Sequence, residues 1–167
     1  MWSRGKAGDN LKRLPIANIL VFLVLGIFIY LKANPPLSAN GISFYQDNET
    51  KRVVEIVNSG FADIKLKNVL VNGNKAENVE LGASRTNHMV AGGGLDEDRY
   101  ITFHKINELE VQPELPLEEL RGLYEKDDRQ IIKHYGLAVI GNEVPEKINI
   151  KYTYLYIPYS LEVNVTE

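Results

Sequence analysis

Residues 64–74 read Ile64-Lys65-Leu66-Lys67-Asn68-Val69-Leu70-Val71-Asn72-Gly73-Asn74, and the fold is decided here. Ile64 and Leu66 alternate with Lys65 and Lys67, the period of two that belongs to a half-buried strand and not to a helix. The apolar positions then move to Val69 and Val71. Side chains alternate strictly along a strand, so an odd shift needs one extra residue, and a bulge is expected near Lys67-Asn68. The alternative is that Leu70 keeps the first phase and both faces are buried there. Asn72-Gly73-Asn74 then turns the chain back, because Asn and Gly both tolerate positive φ.

Working outward, the same short alternating runs recur. Residues 42–46 and 52–58 precede the hairpin, with Val54 and Ile56 on one face of the second run and Val53 and Val57 on the other. After it come weaker runs at 78–81 and 87–91, a firmer one at 100–106, and long ones at 130–140 and 147–156. A last strand follows Pro158, where Leu161, Val163 and Val165 alternate with polar residues. Between them, residues 116–126 carry Leu117, Leu120, Leu123 and Tyr124 at helical spacing with acids early, which suits the helix dipole; Gly122 interrupts this short connecting helix. Some eight short strands at intervals of about 8–12 residues imply an all-β, antiparallel sandwich or barrel.

A different period governs the N-terminus. Residues 14–31, LPIANILVFLVLGIFIYL, carry no charge between Arg13 and Lys32. At 1.5 Å per residue such a helix is about 27 Å long, close to the roughly 30 Å hydrocarbon core of a bilayer. Arg4, Lys6, Lys12 and Arg13 precede it and Lys32 alone follows closely, so basic flanks place the N-terminus in the cytoplasm and the bulk of the chain outside. The expected organisation is a basic tail at 1–13, a transmembrane helix at 14–31, a Pro- and Asn-containing linker at 32–41, and an extracytoplasmic domain at 42–167. A cleaved signal peptide shares this layout, with Leu37-Ser38-Ala39 as its cleavage region.

The chain has 167 residues, 44% apolar and 25% charged, which is the composition of a folded domain. Its formal charge of −3 hides an asymmetry, since residues 1–39 hold five basic side chains and one acid, and the rest hold 14 basic and 21 acidic. An acidic outer domain lacks the positive field that phosphate backbones require, so no nucleic-acid partner is expected. With no cysteine, disulfides, thiol catalysis and cysteine-bound metals are excluded.

Two stretches resemble a known class. Val57-Asn58-Ser59-Gly60 between two strands, and His134-Tyr135-Gly136-Leu137-Ala138-Val139 followed by Ile148-Asn149-Ile150-Lys151-Tyr152, resemble bacterial single-pass membrane proteins with an extracytoplasmic immunoglobulin-like β-sandwich. The resemblance implies that fold for the outer domain, and it carries no functional residues over.

Candidate chemistry is sparse. His88, His104 and His134 are the histidines, and a three-histidine zinc site needs all of them to converge. His104 and His134 fall on expected strands that can be neighbours. The run Gly92-Gly93-Gly94-Leu95-Asp96-Glu97-Asp98 offers oxygen ligands but lacks the order of an EF-hand, and reads more simply as a solvated loop. No G-x-S-x-G elbow occurs, so no catalytic, metal or cofactor residue is assigned and no cofactor is expected. Tyr152, Tyr154, Tyr156 and Tyr159 form the one unusual cluster, with the first three on one strand face and Tyr135 opposite. Tyrosine gives large amphipathic contact area at low entropic cost, so these four are the candidate partner-binding residues; the bland reading makes the same ladder a wall of the core. The expected function is a membrane-anchored extracytoplasmic binding or structural module, in contact with the bilayer through its helix and with a protein partner in the envelope. Alternatives are an envelope enzyme using a histidine–carboxylate site and an accessory subunit of a transport or secretion complex.

Overall fold

A computed structural model describes residues 8–45, 48–86, 88–90, 100–126 and 129–165, with side chains from residue 18 onward. Gln46 at the end of the first expected strand, Asn87 and Ala91, the glycine–acid run 92–98 and the last expected strand's neighbour Thr166 lie outside the described residues. The chain divides into two compact units, Met1–Pro35 and Pro36–Glu167.

The first unit is helix α1, Gly8–Ala33. It starts ahead of the expected Leu14, so Pro15 falls inside it and not in its first turn. It stops at Asn34, whose backbone N–H and side-chain Nδ2 both donate to the Tyr30 carbonyl (3.1 and 2.8 Å), and Pro35-Pro36 cannot continue a helix. Among the described residues no helix is long and apolar enough to cross a membrane. The large apolar side chains of residues 19–30 are 47–72% exposed, on every side of that stretch.

The second unit is built from two antiparallel sheets, an all-β sandwich. In chain order its elements are β1 Leu37–Phe44, β2 Lys51–Asn58, β3 Ile64–Val71, β4 Asn74–Lys75, β5 Asn78–Ser84, β6 Ile101–Lys105, α2 Leu117–Glu125, β7 His134–Ile140, β8 Lys147–Tyr154 and β9 Ile157–Asn164. One sheet runs β1-β2-β7-β5-β6 and the other β4-β3-β8-β9. The β3 hairpin forms as its sequence dictates. Asn72 and Gly73 take φ of 48° and 88°, the left-handed pair that a two-residue hairpin needs. The register of β3 against β8 slips between Leu66 and Asn68, so Lys67 is the bulged residue, and Val69 and Val71 return to the core.

Alternation places the core. Val54 and Ile56 of β2, Leu137 and Val139 of β7 and Leu81 and Ala83 of β5 share one face through their register, and all are buried. Ile64, Leu66, Val69 and Val71 of β3 with Ile148, Ile150, Tyr152 and Tyr154 of β8 supply the buried face of the other sheet. The first sheet also buries apolar side chains on its other face, where Val53, Ile101 and Ala138 gather under Val90, with Tyr45 and Phe103 packed against them. Val90 fits there because Gly82 and Gly136, paired in register, leave the sheet bare: an added Cβ on Gly136 would meet the Val90 Cβ at 2.6 Å.

Several expectations are corrected. Residues 37–41 are not linker but the first half of β1, which accommodates them with a register shift between Ala39 and Gly41. Residues 88–90 are not in a strand; the hydroxyls of Ser84 and Thr86 instead bond the His88 backbone and tie this segment to the end of β5. β5 runs past Leu81 to Ser84, and β7 starts at His134 and not at Gln130. α2 passes through Gly122 without interruption. The run 147–156 is cut at Tyr154, because Leu155 and Tyr156 turn the chain with φ of 49° and 63°. β9 therefore begins ahead of Pro158, which pairs with Thr153 on an edge strand where a missing N–H is tolerated.

Candidate functional site

The four tyrosines are divided by the turn after β8. Tyr152 and Tyr154 are 1% and 2% exposed on the inner face of β8, so they belong to the core. Tyr159, half-buried on β9, stacks on Tyr152 (centroids 5.4 Å apart) and meets Tyr154 edge-on (6.5 Å). Burial pushes the Tyr152 hydroxyl up to about 12, partly offset by the Leu37 backbone. Tyr156 does not share their face, as expected from a continuous strand, but stands in the turn, fully exposed. Tyr135 lies in the other sheet, where its hydroxyl accepts from the Gln112 N–H (3.3 Å).

The histidines do not converge. β5 separates β6 from β7, and the register puts His134 level with Ser84 and Ile101 while His104 is level with Leu81. His104 lies three positions after Ile101, an odd number, so His104 and His134 face opposite sides of the sheet. His104 Nε2 is 2.9 Å from the Thr102 hydroxyl. No group of three or more metal-type ligands occurs among the described residues.

A cleft of about 170 Å³ forms instead where β2, the start of β7, the crossing segment 112–115 and α2 meet. Asn58 sets its frame. This buried side chain donates to the Ala62 and Val111 carbonyls (both 2.9 Å) and accepts from Gly60 N–H (2.9 Å), while its own carbonyl accepts from Glu114 N–H (2.8 Å). Val111 also exchanges both backbone bonds with Ile64, so the crossing segment is fixed at two points. The Asn58-Ser59-Gly60 turn thus positions Glu114 as well as reversing the chain.

Glu55 and His134 face each other across β2 and β7, with Glu55 Oε1 3.7 Å from His134 Nδ1. The Tyr124 hydroxyl of α2 sits 3.0 Å from His134 Nε2, the two rings nearly parallel at 16°. Burial, then the charge of Glu114, raises the Glu55 carboxyl above its ordinary value. Burial and the Lys133 charge lower the His134 imidazole, and burial with the charges of Glu55 and Glu114 raises the Tyr124 hydroxyl. Leu115, Leu120 and Ile132 supply apolar walls. The cleft therefore gathers the Glu55 and Glu114 carboxyls, the His134 imidazole and Lys133.

Of this group, sequence reasoning singled out His134 alone. Glu55 had a visible signal, since it is the one charged residue in the run Val53–Val54–Glu55–Ile56–Val57, where both faces are otherwise apolar. Glu114 and Tyr124 had none, because their place depends on the crossing segment. No family model matches the chain, and no curated protein or solved structure is similar to it.

Proposed function

We propose that the protein is a membrane-anchored, extracytoplasmic recognition module whose cleft takes one basic side chain of an envelope protein. The apolar stretch 14–31 is the anchor. A helix with apolar side chains exposed all round is suited to lipid and not to the surface of a globular domain. The outer domain reads as immunoglobulin-like. With β1, β2 and β3 as strands A, B and C, β5 as D, and β7, β8 and β9 as E, F and G, the sheets become A-B-E-D and C-F-G. β4 extends the second sheet, and β6 with α2 is inserted between D and E.

The observation that carries the binding role is that Glu55 and Glu114 line one cleft of about 170 Å³ together with His134. Sites for whole small molecules run at roughly 300–1,000 Å³, so this one suits a single side chain. A carboxylate whose proton affinity is raised by a neighbouring carboxylate, as Glu55 is by Glu114, is relieved by a cation between them. Capture needs Glu55 ionised, and its folded pKa lies above 4.5; His134, lowered from 6.5, adds no positive charge at pH 7. Affinity is thus expected to rise with pH through the Glu55 titration and to fall on acidification. Titrating the protein with N-acetyl-arginine amide, followed by the His134 ring resonances, is expected to give saturable shifts at pH 7. Glu55→Gln with Glu114→Gln should weaken them at least tenfold. Equal binding of an N-acetyl-norleucine amide would contradict the reading. A second reading, acid–base chemistry at a histidine–carboxylate pair, rests on the 3.7 Å approach of Glu55 to His134, and it requires a substrate to displace Tyr124 from Nε2.

A further inference from the structure

Helix α2 depends more on what it touches than on its own sequence. At nine residues it is shorter than the roughly 12–15 at which an isolated helix becomes stable. Glu118 and Glu119 suit the dipole in its first turn, but Pro116 at its N-cap offers no side-chain bond and its last turn has no basic residue. Lys126 at its C-cap is right-handed, where a left-handed glycine is usual. Gly122 weakens the middle, and packing does not require it, since an added Cβ would find no atom within 4 Å. No side chain of the helix is fully buried. Leu120 and Tyr124, both half-buried, meet the cleft instead. Leu120 forms part of its wall, and the Tyr124 hydroxyl sits on His134 Nε2, with the Lys133 ammonium 5.1 Å from the centre of its ring. The two ends of α2 are held unequally. Ahead of Pro116, Glu114 N–H is bonded to the Asn58 carbonyl and Val111 is paired with Ile64, so the helix leaves a fixed point and its far end rests through Tyr124 on His134.

We propose that α2 is a clamp on the cleft, hinged at Pro116 and latched by Tyr124, whose closed helical form is the one that holds a basic side chain; this rests on the cation reading of the cleft given above. A segment with so few buried apolar contacts opens locally in the free protein. An occupant closes it, because the aliphatic stem of a basic side chain packs against Leu120 while its charged head meets Glu55 and Glu114. The fraction of molecules competent to bind is then set by the stability of α2, and the apparent affinity is scaled by that fraction. Ordering of the helix and filling of the cleft are one event.

Hydrogen exchange in the full chain reads the clamp directly. The Leu120 and Lys126 amides donate to the Pro116 and Gly122 carbonyls and so report the two ends of the helix. Saturating N-acetyl-arginine amide is expected to slow exchange at both, and N-acetyl-norleucine amide to leave it unchanged. Gly122→Ala favours the helix without touching the cleft, and should tighten binding of N-acetyl-arginine amide about three- to fivefold, the ratio by which alanine is preferred over glycine in a helix. Gly122→Pro should weaken it by at least as much. Tyr124→Phe keeps the stacked ring and loses the hydroxyl, so exchange at Lys126 should quicken in the free protein while β7 is unaffected. Saturable shifts of the His134 resonances, with α2 exchange unchanged and equal affinity for Gly122→Ala, would overturn the clamp and leave the binding role standing. Absence of saturable shifts in both wild type and Gly122→Ala would overturn both. Free-state exchange at Lys126 that is unaltered by Tyr124→Phe would overturn the latch.

Discussion

Tyr154→Ala is expected to lower unfolding free energy by about 3–5 kcal/mol, the range for deleting a buried aromatic side chain. Tyr154 is 2% exposed, packs edge-on against Phe61 at 5.8 Å, and lies so close under Gly60 that a Cβ there would meet its ring at 2.8–2.9 Å. Truncation therefore removes buried apolar area, leaves a cavity between the sheets and frees the Phe61 N–H that its hydroxyl holds. The loss should appear as a fall in the urea midpoint with an unchanged slope. Tyr154→Phe separates the terms, since it keeps the ring and costs only the hydrogen bond, about 1 kcal/mol. An alanine variant with the wild-type midpoint would mean that Tyr154 is not a core residue.

The next largest effect is expected at Gly136. An added Cβ would stand 2.6 Å from the Val90 Cβ and 2.8 Å from the Val90 carbonyl oxygen, so the obstacle is backbone and not a side chain free to swing away. Gly136→Ala should cost at the upper end of the roughly 1–3 kcal/mol typical of overpacking. Because Val90 covers Val53, Ile101 and Ala138, the expected signature includes faster hydrogen exchange in β6 as well as a lower midpoint. Gly41→Ala is the control: its Cβ would find only Glu55 Oε2 at 3.8 Å, and its stability should stay within about 0.5 kcal/mol of wild type.

These two sites also mark what the sequence could and could not reveal. Wherever local chemistry was sufficient, it was readable. The Asn72-Gly73 hairpin and the Lys67 bulge are set by turn residues and by period, and the structure has both. The turn at Leu155-Tyr156 carries no glycine or asparagine. It is imposed by pairing, as Tyr154 opposes Ile157 and Tyr152 stacks on Tyr159, so an uninterrupted run of apolar and aromatic residues gave no sign of it. The result is that one tyrosine expected beside the others is solvent-facing while two are core. β1 was concealed for the opposite reason: Pro35 and Pro36 suggest linker through to Gly41, yet Leu37 is buried against the sheet end and starts the strand. The cleft was least legible. Glu55, Glu114, Tyr124 and His134 come from four separate segments, and their meeting depends on Asn58 fixing the crossing chain, a long-range contact that no local pattern encodes.

Topology tests the central claim most directly. Protease added to intact cells or spheroplasts carrying the full chain with an N-terminal tag is expected to digest the sandwich domain and spare the tag, with the tag remaining in the membrane fraction. A protected C-terminal domain, or a soluble secreted form beginning near Asn40, would contradict it.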